Sequence, residues 1–420
     1  MHTTSLRRST RLSPSRAGGA PLLVALVLVT GVSPFATDTY VAALPQVQRA
    51  LHTAAEIAQL TMTAFLVGLA LGQLLLAPVS DARGRRRMLI VSSMAFTVLS
   101  AICAAAPDAA LLVAARALEG LAGGCGVAVG RAVVSDCYSG REAAARYGTL
   151  ASITLLAPVI APAIGGVLLL IGDWRVVFVF LTALGVAMTA ATLVGIPETL
   201  PPERRTARGL RGTAGRMAGL LRRRAFLAAV AIQCLATAGF FTYIGGSSFV
   251  LQGDLGLSRG RYSLLFASNA AGMALLTWVF RALVRRVGPD LLRVVGLTVS
   301  TGAAVCLALY AGAATTTRLA PTWVLLAIVV GGMGLVIPAT TAIAQNAGRE
   351  IGGTASALQG GLTFIVGAAA TPLTGVLGVT SVAGMGAIMA VLFLASAGVL
   401  AGAELARRLG RSDRPGIARA

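Results

Sequence analysis

Apolar runs of about 20 residues alternate with short polar turns along almost the whole chain. Wound as helices at about 1.5 Å per residue, such runs match the hydrocarbon thickness of a bilayer. The pattern marks twelve of them, over 21–43, 56–78, 88–106, 110–132, 146–171 and 175–195, then 225–248, 262–281, 291–313, 322–345, 354–378 and 382–404. The longest polar interruption, 197–224, opens with Pro197-Glu198-Thr199-Leu200-Pro201-Pro202 and is rich in arginine, a composition that reads as a linker. The pattern therefore predicts an all-α membrane protein of twelve transmembrane helices. Its expected parts are a tail (1–20), a six-helix half (21–196), the linker (197–224), a second six-helix half (225–405) and a closing tail (406–420).

Charge adds an orientation. Only 12% of the 420 residues are charged and 56% are hydrophobic, too little charge to solvate a soluble domain of this size. The formal net charge is +20, and every basic residue is arginine. Basic chains can bind nucleic acid, but here the arginines sit between apolar spans, which is the positive-inside arrangement and not a basic face. Four precede residue 21, four follow the second span and eight lie in the linker. Arg285 and Arg286 follow the eighth span, and Arg407, Arg408, Arg411, Arg414 and Arg419 close the chain. The opposite side carries Arg49, Arg175, Arg259, Arg261 and Arg318. Both termini are therefore expected in the cytoplasm. The first apolar run is longer than a signal-peptide core and continues to Leu44, so it reads as a retained helix. Arginine-only usage beside abundant Ala, Gly and Val points to a GC-rich bacterial genome, hence to a multi-pass protein of the bacterial cytoplasmic membrane.

Little resident chemistry is visible. Cys103, Cys125, Cys137, Cys234 and Cys306 are scattered, mostly in apolar spans, and read as small packing residues; His2 and His52 form no metal cluster. No cofactor is expected, and the absence of a nucleophile–base pair argues against an enzyme. The partners expected are a small-molecule substrate, protons and the bilayer, with the chain working as a monomer.

Ionisable residues inside the spans are the candidates for function. Asp38 lies near the end of the first span, in Pro34-Phe-Ala-Thr-Asp-Thr-Tyr. A charged carboxylate at mid-bilayer costs about 2.5–3.5 kcal/mol on insertion scales, and a carboxyl group in an apolar setting exchanges its proton nearer physiological pH. Asp38 is either a proton- or substrate-binding group, or a residue that sits at the outer interface or caps a broken helix end before Pro45. Arg116 and Glu119 are three apart on the fourth span, where they either neutralise one another or present Arg116 to a central cavity. The fifth span contains Pro158, Pro162, Gly165 and Gly166, which weaken a helix and allow close approach: a hinge or a packing seam. In the second half the polar residues are uncharged: Gln233, Thr237, Tyr243, Asn269, Gln345, Asn346 and Gln359. Asp254, Asp290 and Glu350 are expected in loops, so ion coupling belongs to the first half. Tyr40, Gln233, Tyr243 and Asn269 are candidates for a cavity wall.

Motifs now fall in order. The turn from Gly72 to Arg87 holds Asp81, Arg83, Gly84, Arg85 and Arg86. Gly72, Arg85 and Arg86 recur 200 residues later as Gly272, Arg285 and Arg286, and Pro162 and Gly166 are echoed by Pro372 and Gly375. Gly72–Arg86 resembles the G-x-x-x-D-R-x-G-R-R loop between helices 2 and 3 of major facilitator superfamily transporters, with one extra residue between Asp81 and Arg83. Arg116-Ala-Leu-Glu-Gly resembles that family's helix 4 motif, where Glu119 stands in place of the usual Gln. Ala157-Pro-Val-Ile-Ala-Pro-Ala-Ile-Gly-Gly resembles its helix 5 antiporter motif. Asp38-Thr-Tyr-Val-Ala-Ala-Leu-Pro, Gly130-Arg-Ala-Val-Val-Ser-Asp136 and Gly353-Thr-Ala-Ser-Ala-Leu358 are similar to the Bcr/CflA group of drug:proton antiporters. The resemblance implies proton-driven multidrug or antibiotic efflux by alternating access. It would make Asp38 the proton- or drug-binding carboxylate, Arg116 its tuner, and the 81–86 loop a cytoplasmic latch between halves. A dedicated exporter of a metabolite or self-made antibiotic is the alternative; an uptake symporter or a non-transporting sensor fits less well.

Overall fold

The computed structural model describes residues 19–138, 140–205, 210–348, 350 and 352–412. The expected tail segments 1–18 and 413–420, and residues 206–209 of the linker, lie outside the described residues. The described chain is helical: α1 (Ala20–Asp38), α2 (Leu44–Ala50), α3 (Ala55–Leu71), α4 (Ala77–Arg83), α5 (Arg85–Ala104), α6 (Ala109–Cys137), α7 (Gly140–Ile171), α8 (Arg175–Gly195), α9 (Leu210–Leu221), α10 (Arg224–Gly253), α11 (Arg259–Ala313), α12 (Leu319–Ala347), α13 (Gly352–Ala370), α14 (Leu373–Val376) and α15 (Val382–Ser412). Among the described residues ten helical segments are long and apolar enough to cross a membrane, and Leu156–Ile171 is a shorter apolar helix. The 55-residue α11 contains both the 262–281 and 291–313 spans, broken where Gly288 takes φ 78° just before Pro289. Large apolar side chains such as Leu170, Val194, Trp278 and Leu309 point outward, as a lipid-facing surface requires.

Two helix interruptions fall inside the expected spans, and a third falls at the expected turn. The first span is not one helix to residue 43: α1 ends at Asp38, and a 3-10 turn over Val41–Ala43 leads into α2. The second span leaves α-helical geometry at Gly72–Leu76, a π-turn just before Pro78. Proline has no N–H and its ring crowds the carbonyl four residues back; a widened turn there relieves both conflicts. Gly84 then stops α4 with φ 94°, a backbone conformation that glycine adopts without strain, and α5 begins at the next residue.

Small residues set the closest helix approaches. Gly68 and Gly72 face the backbone of Ala117 and Leu121, while Gly120 and Gly124 face the backbone of Phe65 and Leu69. Two G-x-x-x-G stripes thus bring α3 and its π-turn against α6 with no room for a Cβ. Between residues before 200 and residues after 224, α7 packs on α11 and α3 packs on α13.

Candidate functional site

Where these elements converge they leave a cavity of about 200 Å³. Its wall is apolar and aromatic, with Met62 and Leu66 of α3, Pro158 of α7, Phe240, Phe241 and Tyr243 of α10, Phe266 of α11 and Phe364 of α13. Asp38 is the ionisable acid in this wall, placed there because α1 ends at that residue. It is 8% exposed, accepts a hydrogen bond from Thr37 Oγ1 at 3.2 Å, and has no ion-pair partner among the described residues. Tyr243 stacks on Phe266 at 5.4 Å between ring centroids. Asn269, fully buried behind it, donates to the Tyr243 hydroxyl at 3.0 Å.

A wider vestibule of about 700 Å³ shares Phe240, Phe241 and Phe364 with that cavity and runs toward the arginine-rich end. It is lined by Gln73, Arg131 and Ser135 from the first part of the chain, and by Gln233, Thr237, Thr341, Gln345 and Gln359 from the second. At the opposite end the two parts are bonded together. Gln59 Nε2 donates to Gly245 O at 3.1 Å and to Thr374 Oγ1 at 2.8 Å, and Gln59 Oε1 accepts from Gly375 N at 3.1 Å. Thr63 Oγ1 donates to Ala368 O at 2.9 Å, and Gln252 Nε2 donates to Ala42 O at 3.3 Å. Arg259 Nη1 donates to Leu169 O at 3.4 Å. Gly166 of α7 abuts the Ser263 side chain of α11, and Gly165 abuts the backbone of Thr39.

Arg116 and Glu119 are not in the cavity wall. Both have fully buried side chains and pair at 2.7 Å. Arg116 also donates to Ala36 O at 3.1 Å and lies 4.1 Å from the Phe65 ring centroid. Glu119 accepts from Ser100 Oγ at 2.6 Å. Of the two arrangements open to it, Arg116 takes the internal pair, enclosed by the rings of Tyr40, Phe65 and Phe178, which accept a guanidinium face, and it hydrogen-bonds the Asp38 helix at the Ala36 carbonyl. Tyr40 is likewise enclosed, hydrogen-bonded to Thr61 at 2.8 Å and tilted against Phe178. Of the other cavity candidates, Tyr243 and Gln233 reach a wall and Asn269 stands behind Tyr243.

The 81–86 loop forms a closed set of contacts within the first part of the chain. Arg85 Nη1 pairs with Asp81 at 2.6 Å, and Arg85 Nε pairs with Asp136 at 3.1 Å. Its backbone N–H donates to Glu198 Oε1 at 3.0 Å. Arg86 donates to Ile196 O and Leu193 O, each at 2.9 Å. Arg83 is exposed and joins none of these contacts among the described residues. Sequence reading missed Glu198 and Gln59 as bridging residues. Glu198 was lost in the polar linker, and Gln59 is one neutral residue in an apolar run.

The family model of the Major Facilitator Superfamily matches residues 26–372. The chain belongs to that superfamily. It is 33% identical over 376 residues to the MFS-type transporter YdgK of Bacillus subtilis (strain 168), covering 88% of this chain and 91% of YdgK. It is 28% identical over 237 residues to the multidrug resistance protein MdtL of Escherichia coli O45:K1 (strain S88 / ExPEC), 56% of this chain and 60% of MdtL. Among solved structures, a bacterial homolog of the human lysosomal transporter Spinster, inward-facing and unoccupied, matches with TM-score 0.72 and 16% identity over 96% of this chain and all of that one. A mutant form of the nucleoside transporter NupG matches with TM-score 0.69 and 12% identity, covering 90% of this chain and 99% of NupG. Such low identities speak to the fold, and the fold is that of the superfamily. This MFS protein is therefore a multi-span helical transporter, not an enzyme, and its class of molecule binds small substrates within the membrane.

Proposed function

We propose that this MFS protein is a drug:proton antiporter of the Bcr/CflA type, exporting amphiphilic drugs or antibiotics across the bacterial cytoplasmic membrane. The observation that carries the reading is Asp38, a carboxyl group without an ion-pair partner among the described residues, in the wall of an apolar, aromatic cavity. A group so placed is tolerated when it is protonated or when a cation sits beside it. Proton and cationic substrate then exclude one another at a single site, which is the thermodynamic core of antiport. The likeness of part of the chain to MdtL supports a drug as the cargo.

The proposed cycle is alternating access by a monomer, with the proton gradient as energy source and no cofactor. Twelve spans in two halves, 21–196 and 225–405, would rock about the cavity, with the arginine-rich end and both termini in the cytoplasm. Two features support the halves. The contacts of α3 with α13 and of α7 with α11 join the second span to the eleventh and the fifth to the eighth, a pairing that survives exchange of the halves. The echoed glycines also meet equivalent partners: Gly166 abuts Ser263 on the eighth span and Gly375 abuts Gln59 on the second. The cross-bonded end would then face outward, leaving the vestibule open to the cytoplasm. The 81–86 loop, which among the described residues bonds to its own half and to Glu198 at the start of the linker, would be an unfastened latch.

The test is proton release from acid-loaded inverted vesicles as a panel of antibiotics and lipophilic cations is added. Drug-evoked alkalinisation is expected from the parent protein, with its loss in Asp38→Asn while the protein remains in the membrane. Unimpaired export by Asp38→Asn would remove Asp38 from the mechanism. Silence of the parent protein across the panel would transfer the same geometry to a dedicated exporter of a compound made by its own cell.

A further inference from the structure

The vestibule holds a chain of three neutral amides from three helices. Gln345 Nε2 of α12 donates to Gln359 Oε1 of α13 at 3.0 Å. Gln359 Nε2 donates in turn to Gln233 Oε1 of α10, and to Thr341 Oγ1 at 3.2 Å. Gln233 is 5% and Gln359 3% exposed, yet both belong to the vestibule wall. Such a chain has a direction. It consumes one amide N–H and one C=O at each link and leaves an unmatched NH₂ at one end and C=O at the other, whichever way the amides are turned.

Interhelical packing alone accounts for the links, but not for Thr237. This threonine lies four residues after Gln233 on α10, is 3% exposed, lines the same vestibule, and its Oγ1 has no hydrogen-bond partner. A helical threonine usually bonds back to the carbonyl four residues earlier, as Thr242 does on this helix at 3.0 Å. Leaving such a hydroxyl buried and unmatched forfeits its hydration with nothing in return. The hydroxyl and the ends of the amide chain therefore form a set of neutral donors and acceptors facing a space that can hold a ligand.

We propose that Thr237 and the two ends of the amide chain, Gln233 and Gln345, form a second substrate subsite, which takes a neutral amide, aromatic amine or hydroxyl group at one end of an aromatic substrate. This rests on the reading of the Asp38 cavity as the substrate site. Phe240, Phe241 and Phe364 belong to both walls, so an aromatic body lying across them connects the two subsites. Gln233 and Tyr243 are ten residues apart on α10, about 15 Å along a helix, which sets the length of the molecule. Arg131 is the charged residue in the vestibule wall, and it stands exposed. The cationic end belongs at Asp38, the carboxyl group of the aromatic cavity wall; the neutral polar end belongs with the glutamines. The preferred substrate is thus an elongated aromatic compound with a neutral hydrogen-bonding group at one end, and a cationic centre at the other for the proton-coupled cycle.

The experiment is equilibrium binding to the purified full-length protein without a proton gradient, using two probes. Procainamide carries a neutral aromatic amine at one end of its ring and, on a carboxamide arm, a cationic amine at the other; tetraphenylphosphonium is an aromatic cation with no hydrogen-bonding group. Thr237→Val and Gln345→Leu are each expected to raise the ratio of the procainamide to the tetraphenylphosphonium dissociation constant about fivefold to tenfold, the equivalent of roughly one hydrogen bond. Thr237→Ser should restore the parent ratio. An unchanged ratio in both variants overturns the proposal, as does a parent protein that binds tetraphenylphosphonium but not procainamide. Retained tetraphenylphosphonium binding reports an intact fold. Because the readout is binding, failure of proton-coupled transport would count against the antiport reading and leave this result standing.

Discussion

Arg116 and Glu119 show how much a residue's surroundings decide. Their spacing allowed either an internal pair or a cavity-facing arginine, and the structure buries both as a pair, with Arg116 among Phe65, Tyr40 and Phe178 and Glu119 against Ser100. Removing one partner of a buried pair leaves an uncompensated charge and costs about 3–5 kcal/mol, whereas removing both is often nearly neutral. Arg116→Met and Glu119→Gln should each lower the melting temperature of the detergent-solubilised protein clearly. The double variant Arg116→Met/Glu119→Gln should lie nearer the parent than either. Additive losses would show that the two residues are not energetically one unit. Asp38 is the contrasting case: it was visible in sequence as a carboxylate in a span, and the structure adds that its wall offers no cation.

At the scale of elements, the glycine stripes of α3 and α6 govern how closely two helices approach. Without a hydrophobic driving force between helices in lipid, backbone proximity and close packing hold them together. A methyl group on Gly120 or Gly124 would overlap a backbone carbonyl that cannot rotate away, that of Phe65 or Leu69. Gly120→Ala and Gly124→Ala are expected to destabilise by about 1–3 kcal/mol each, read as reduced folded yield and lower melting temperature. Gly302→Ala, with nothing within 4 Å of its added carbon, should behave as the parent protein. Equal behaviour of all three would refute the seam. Gly72, singled out in sequence as part of the loop motif, belongs to this seam. Motif spacing marks a position as constrained without saying which neighbour constrains it.

At the scale of the whole molecule, the hydrogen bonds crossing between the early and late helices named above lie at one end of the cavity. Gln59 makes three of them, to Gly245, Thr374 and Gly375. Each such bond contributes about 0.5–1.5 kcal/mol net, enough together to bias a two-state rocking equilibrium by tenfold or more. Under the proposed orientation, Gln59→Ala should populate the outward-open state. A cysteine at the cavity residue Met62, buried at 1% exposure, should then react faster with a membrane-impermeant maleimide applied outside intact cells. An unchanged labelling rate would mean that Gln59 does not hold that end shut.

The sequence by itself determined that this is a helical membrane protein and roughly where its spans run, because apolar runs of bilayer length have no other solvent. It marked Asp38, Tyr243 and Gln233, since a polar group inside such a run is costly enough to stand out. It also carried the family, through local motifs such as the turn at Gly72–Arg86. Only the tertiary structure decided which of these residues share a space. Asp38 shares a cavity wall with Phe266 and Phe364, Glu198 bonds to Arg85, and Gln359 bonds to Gln233, each across more than 100 residues. Hydropathy reports the solvent each side chain prefers. Contacts between distant spans depend on helix rotation, on the breaks at Asp38 and Gly72–Leu76, and on glycine-set distances, none of which a one-dimensional pattern contains.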